Sequence, residues 1–387
     1  MKGVRQLTQK YSAESGPGAA RQAAQTGTRE TPFSGWPQIR QSSGKTSSNK
    51  NEEIRANAEG GLAGREYDRQ PLLLEKIHLP MSTFQSTPIA LEWRRWYSAI
   101  IEALSTMTPA ALTDITCAHS PDSDDAFMFY GLATQKVRSG LARFRHVLSD
   151  IESLNREALK GTYELTAISY HAYPYVADKY VLMASGSSVG DGYGPVLVAL
   201  HPLAVGELKG KRIAVPGTMT TAYLALKLLL PDANTVVVPF DRILQAVREG
   251  EVDAGLIIHE GQLTYSSRGF HAVLDLGAWW KSEHGLPLPL GANALRRTLA
   301  PAIQAECCRM MRDSIQYAFD HDSEALQYAL QFAGDMDPAL AEKFVGLYVN
   351  HYTLDCGEII PAAAQKLLDM GHEAGLIPHK VQVEFVR

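Results

Sequence analysis

From Ile115 onward the chain alternates short β-rich apolar runs with capped amphipathic helices, and that alternation leaves few folds open to it. The stretch around Asp253 is the clearest case. Asp241-Arg-Ile-Leu-Gln-Ala-Val-Arg-Glu249 reads as a helix with Asp241 at its N-cap, Ile243, Leu244 and Val247 as its stripe, and Gly250 as its stop. Ala254–Ile258 follows as a buried strand that delivers His259 at its carboxyl end. In open α/β sheets ligands collect where parallel strands end, so His259 stands where chemistry is expected. A hydrogen-bonded structural histidine is the competing reading.

The same grammar recurs. Ile115–Ala118 reads as a strand, followed by the turn His119-Ser-Pro-Asp-Ser-Asp-Asp125 and a helix from Ala126. Asp124 or Asp125 caps that helix or faces a cleft. Asp150–Gly161 is a capped helix carrying Asn155, and Glu164–Ile168 is a strand that leads into Ser169, Tyr170 and His171. There Ser169 is either ordinary turn chemistry or a cleft hydroxyl, and His171 is read as structural. Lys211–Val215 is a strand followed by Pro216-Gly-Thr-Met-Thr-Thr221-Ala222 and the helix Tyr223–Leu230. Small hydroxyl residues entering a helix suit an anion, although Thr220 also serves as a simple cap. The glycine spacing fits neither nucleotide fingerprint, so a carboxylate is the better guess than a nucleotide. His259-Glu260-Gly261-Gln262-Leu263 lacks the second histidine of a zinc-protease helix.

Composition sets the outer limits. The 387 residues carry a net charge of −5, which offers nothing to nucleic acid or an anionic membrane. No run of about 18 apolar residues occurs, and the N-terminus lacks the apolar region of a secretory signal, so a cytoplasmic protein is expected. Cys117, Cys307, Cys308 and Cys356 lack CxxC spacing and read as reduced, mostly buried thiols. Residues 1–70 are poor in large apolar residues and are expected to be disordered. Residues 71–113 are an uncertain linker, with one amphipathic helix suggested over Leu91–Leu104. Residues 114–205 plus 286–387 are expected to form one lobe and 206–285 a second, inserted one. The apolar segments Gly192–Ala199 and Leu286–Gly291 serve as crossovers.

The segments HSPDSDDAFMFYGL, DIESLNREAL, ISYHAYPYVADKY, GDGYGPVLVA, VPGTMTTAYLAL, FDRILQAVREGEVDAGLIIHE and LGAWWKSEHGLPLPLGA, in this order, resemble the 1,4-dihydroxy-6-naphthoate synthase family of the futalosine route to menaquinone. The resemblance runs from about Ile115 to Val386 and leaves residues 1–110 uncovered. It implies an α/β, two-lobed periplasmic-binding-protein-like (type II) fold with the active site in the interlobe cleft. It implies a lyase that converts cyclic dehypoxanthine futalosine to 1,4-dihydroxy-6-naphthoate, with His259 as general base. Asn155, Ser169, Thr221 and Ala222 would bind the substrate, a small-molecule carboxylate. No cofactor or metal is implied, and oligomeric state is left open. One departure stands out: the family's first turn reads SPCPNDTF, whereas this chain has Asp124 in place of Asn and Ala126 in place of Thr. A non-catalytic solute-binding protein of the same fold is the alternative from another class. A related futalosine-pathway enzyme with altered substrate is a third reading, and for the chorismate-dehydrating one the GLIIHE segment argues against it.

Overall fold

The computed structural model describes Trp96, Ser98, residues 111–333 and residues 336–387. The expectations for residues 1–70 and for nearly all of the Leu91–Leu104 helix lie outside these residues.

Strands β1 (Thr113–His119), β2 (Ala142–Leu148), β3 (Leu165–Ser169), β4 (Tyr180–Met183) and β5 (Ser188–Gly190) come first. Strands β6 (Val196–Ala199), β7 (Arg212–Val215), β8 (Asn234–Val237), β9 (Ala254–Ile257) and β10 (His271–Asp275) follow, and β11 (Leu288–Arg296) and β12 (Phe385–Val386) return. The first sheet runs β12-β4-β11-β3-β1-β2 with β5 paired to β11; the second runs β10-β6-β9-β7-β8. β1 is parallel to β2 and β3, and β7 is parallel to β8 and β9. Such pairs need helical crossovers. The helices that supply them include α1 (Ser123–Ala133), α2 (Ile151–Lys160), α3 (Thr221–Leu229) and α4 (Ile243–Arg248).

Two sheets, one inserted in the sequence of the other, give the two-lobed architecture. The passage between them is earlier than the 205/206 boundary expected, because β6 already pairs antiparallel with β9 and β10. A four-residue apolar strand looks the same whichever sheet takes it, so its pairing was hidden. The Leu286–Gly291 crossover is in part the start of β11, which pairs with β5 and β3.

Local signals explain most element ends. Asp150 accepts from the Ser153 amide at the start of α2, and Gly161 closes it at φ +72°. Thr220 accepts from the Tyr223 amide at the start of α3. Two expected caps differ. Asp241 lies inside a 3₁₀ turn, Phe240–Arg242, that enters from Pro239, so α4 begins at Ile243 with no side-chain cap. The α1 helix has Asp122 at its N-cap, and Asp125 instead reaches back to the Ser120 amide at 2.7 Å.

After α5 (Gly261–Thr264) and α6 (Leu276–His284), the return is helical: α7 (Pro301–Asp320), α8 (Asp322–Ala329), α9 (Pro338–Tyr348), α10 (His351–Leu354) and α11 (Ile359–Glu373). One apolar core spans both sheets: Ile168 and Leu182 of the first join Leu197, Ile213 and Leu256 of the second through α3 and α11. A second core packs α1 on α7 around Phe129, Met310 and Met311. The four cysteines are free and buried. Among the described residues no helix is long and apolar enough to cross a membrane.

Candidate active site

β7 and β9 are adjacent parallel strands, and the segments leaving their carboxyl ends carry Thr221-Ala222 and His259. The β7–α3 turn is docked on the first lobe. Glu152 of α2 accepts from the Met219 amide at 3.0 Å, and Gly217 lies so close to it that a Cβ would stand 2.2 Å from a Glu152 oxygen. A side chain at position 217 would displace the Glu152 carboxylate from the turn.

A cavity of about 120 Å³ lies against this turn. Its walls include Ser169, Thr221 and Ala222, together with Ile168, Met128, Leu290 and Phe344. As the first two residues of α3, Thr221 and Ala222 have amides without intrahelical acceptors, at the positive end of the helix. The Thr221 hydroxyl is spoken for: it donates to the Leu290 carbonyl at 2.6 Å and accepts from the His171 amide at 3.2 Å. An anion there would meet the backbone, not that hydroxyl.

Asn155 is fully buried behind Ser169 and does not line the cavity. Its Nδ2 donates to Ser169 Oγ at 3.0 Å and to the Met219 carbonyl at 3.4 Å, and its Oδ1 accepts the Ser169 amide at 2.8 Å. Ser169 Oγ thus accepts one hydrogen bond from Asn155, and its own hydrogen is free to point into the cavity. Three neutral donors, two amides and one hydroxyl, form the carboxylate-compatible part of the wall. No lysine or arginine lines it.

Carboxylates line it instead. Asp122, Asp124 and Asp125 all face the cavity from the start of α1. Burial, then the neighbouring Asp124 and Asp125 charges, pushes Asp122 up to about 7. Burial and the Asp125 charge push Asp124 up to about 7. Asp125 is raised by burial to about 6, held lower by the Ser120 amide. Near neutral pH Asp122 and Asp124 are therefore only partly ionised, which lessens the repulsion between this wall and an anionic ligand.

His259 is 8% exposed and does not line the cavity, although its neighbour Ile258 does. The Gly261 amide donates to its Nδ1 at 3.0 Å, and Nε2 bonds the Phe240 carbonyl at 3.2 Å. A carbonyl only accepts, so Nε2 carries the hydrogen and Nδ1 the lone pair. A recess of about 20 Å³ shares Asp122, Ile151 and Ile258 with the cavity and also touches Phe240. Glu260 Oε2 lies 3.5 Å from His259 Nδ1. Burial works to raise Glu260, but His259 and Arg268 hold it below the ordinary carboxyl range.

Sequence reading missed Asn293, Tyr348 and Asp122, while Asp124 and Asp125 face the cavity as the cleft-facing alternative for that turn had it. Tyr348 lines the cavity and donates to Gln262 Oε1 at 2.6 Å, tying α9 to α5 just past His259. Asn293 was the one with a signal: a lone amide inside the apolar strand LPLGANAL.

Comparison with known proteins gives this arrangement a family. Residues 115–373 match the family described as "Menaquinone biosynthesis". The "1,4-dihydroxy-6-naphtoate synthase" of Thermus thermophilus is 44% identical over 257 residues, covering 66% of this chain and 93% of that protein. The protein of the same name from Streptomyces coelicolor is 38% identical over 267 residues, covering 67% and 94%. A crystal structure from Archaeoglobus fulgidus is 51% identical, with a TM-score of 0.66 over 68% of this chain and 98% of that one. The alkanesulfonate-binding protein of Xanthomonas axonopodis, bound to MOPS, shares only 15% identity over 71% of this chain and 98% of that one, yet has a TM-score of 0.57, which shows the periplasmic-binding-protein-like fold alone. The chain belongs to the 1,4-dihydroxy-6-naphthoate synthase family of menaquinone biosynthesis.

Proposed function

We propose that the chain is a lyase that converts cyclic dehypoxanthine futalosine to 1,4-dihydroxy-6-naphthoate and a sugar-derived fragment. The observation that carries this reading is the convergence of the Thr221 and Ala222 amides and the Ser169 hydroxyl on one cavity with apolar walls. Those donors suit the carboxylate of an aromatic acid, and the apolar walls suit its rings.

His259 is the proposed general base. Its Nδ1 lone pair is the basic site, held in readiness by the Gly261 amide. On taking a proton, Nδ1 becomes a donor, releases that amide and has Glu260 Oε2 3.5 Å away to balance the imidazolium. The ring must turn toward the cavity to reach substrate. A positioned base is worth about 10²–10⁴ in rate, and aromatisation of the bicycle drives the bond cleavage. Proton transfer and aromatisation need no cofactor. We place the reaction in the cytoplasm, on a small-molecule carboxylate.

Mixing purified protein with cyclic dehypoxanthine futalosine and following dihydroxynaphthoate by mass spectrometry tests this. Product formation supports the lyase. Substrate that binds and is recovered unchanged supports the second reading, a solute-binding protein of the same fold, which the engagement of both His259 nitrogens by backbone favours.

A further inference from the structure

Asn293 is 1% exposed, lies in β11 between the buried Ala292 and Ala294, and lines the cavity. Its register partner across the sheet is Ala167 of β3, which lines the cavity too. The amide is anchored on one side only. Nδ2 donates to the Gly186 carbonyl at 3.1 Å, and Gly186 is fixed in turn by its own amide, which donates to the Thr353 carbonyl at 2.7 Å. Turning the amide over would set Oδ1 against the Gly186 carbonyl, two acceptors face to face, so the orientation is settled.

Oδ1 has no hydrogen-bond partner. A buried acceptor left without a donor is destabilising, and native chains keep few of them. Asn293 lines the ligand cavity, so its Oδ1 has an evident source of relief in a ligand that packs against this wall. The other polar groups of the cavity show which end of a ligand this is. The donors gather at Thr221, Ala222 and Ser169, where a carboxylate belongs, while Asn293 offers an acceptor. Met128, Ile168 and Phe344 supply apolar wall.

We infer that Asn293 is a specificity-determining residue whose Oδ1 accepts a hydrogen bond from a ring hydroxyl of an aromatic carboxylate seated at Thr221 and Ala222. This rests on the function proposed above and adds to it: the site selects for hydroxylated rings, not only for the acid group. The hydroxyl fills the vacant acceptor; a ring without it leaves Oδ1 unpaired in a closed complex.

The test is anaerobic calorimetric titration of the full chain and of Asn293→Ala with two probes. One is 1,4-dihydroxy-6-naphthoate; the other is 2-naphthoate, which keeps the rings and the carboxylate and lacks both hydroxyls. The wild type is expected to prefer the dihydroxy acid by about fivefold to tenfold, the worth of one hydrogen bond. Asn293→Ala is expected to lose that preference while holding 2-naphthoate as before. Equal binding of the two probes by the wild type overturns the inference whether or not the variant folds. So does an equal loss of both probes in the variant, which would make Asn293 a strut for the Gly186 turn; in either case the naphthoate reading of the site stands. If the wild type binds neither probe, the naphthoate reading fails and the inference falls with it.

Discussion

Replacing Asp124 by Asn should make the protein more stable, by a gain that grows as pH rises above about 4 and is full above about 7. Asp124 is half-buried beside Asp122 and Asp125 at the start of α1. Burial, and after it the Asp125 charge, raises its carboxyl from 3.8 to about 7. The same carboxyl titrates near about 3.9 in the unfolded chain. Between those two pH values the folded protein holds a proton that the unfolded chain has released. Stability therefore falls as pH rises through the window and stays low above it. Asn keeps the shape and the acceptor oxygen and has no proton to lose.

The magnitude follows from the same values. Roughly three pH units at about 1.36 kcal/mol each set a ceiling of ~4 kcal/mol. The side chain still meets solvent at the cleft, and the repulsion is shared among three carboxylates, so about 1–2 kcal/mol is expected. At roughly 2–4 °C per kcal/mol for a folded body of this size, Asp124→Asn should melt roughly 2–8 °C above wild type at pH 8. At pH 4 the two should melt together. Buried His119 and His171 and half-buried His146, which desolvation lowers to about 4, destabilise both proteins as pH falls below about 6.5. They cancel in the difference. Thermal melts at several pH values read it out. An unchanged or lower melting temperature for the variant at pH 8, or a gain that does not depend on pH, would refute the argument.

Two further substitutions probe the cavity's supports. Thr221→Val leaves the Leu290 carbonyl and the His171 amide without their hydroxyl partner, so a stability loss of about 1–3 kcal/mol is expected by denaturant titration. Tyr348→Phe strips Gln262 of its one side-chain partner, the Nε2 atom having none already, and should cost a similar ~1–3 kcal/mol. Adding Gln262→Leu to it should recover most of that loss, since both polar ends are then gone; a double variant as unstable as the sum of its parts would show that the two side chains are not coupled.

Much of the scaffold was legible because its signals are local. The Asp150 cap, the Gly161 stop and the Thr220 cap each act within one turn of chain, and all three stand where the sequence put them. Ser169 and Thr221 stand after strands, which made them candidates, and Ala222 came from the family resemblance; all three line one cavity. What was not legible depends on partners distant in sequence. Whether Asn155 faces ligand or braces Ser169 is decided by Met219, 64 residues away. The use of the Thr221 hydroxyl on Leu290 is decided 69 residues away. His259 shows the limit from the other side: strand position brought it to the rim, but the Phe240 carbonyl and the Gly261 amide set its ring. No period or spacing encodes that choice.

The central claim is that His259 transfers a proton in a reaction this cavity accommodates. The most direct measurement is single-turnover conversion of cyclic dehypoxanthine futalosine by wild type and by His259→Ala, with substrate affinity measured in parallel. The account predicts that the variant binds substrate within a few-fold of wild type and forms dihydroxynaphthoate about 10²–10⁴ times more slowly. Turnover within tenfold of wild type would contradict it, and the proton would have to be taken by another group, with the Asp122–Asp125 wall the first place to look.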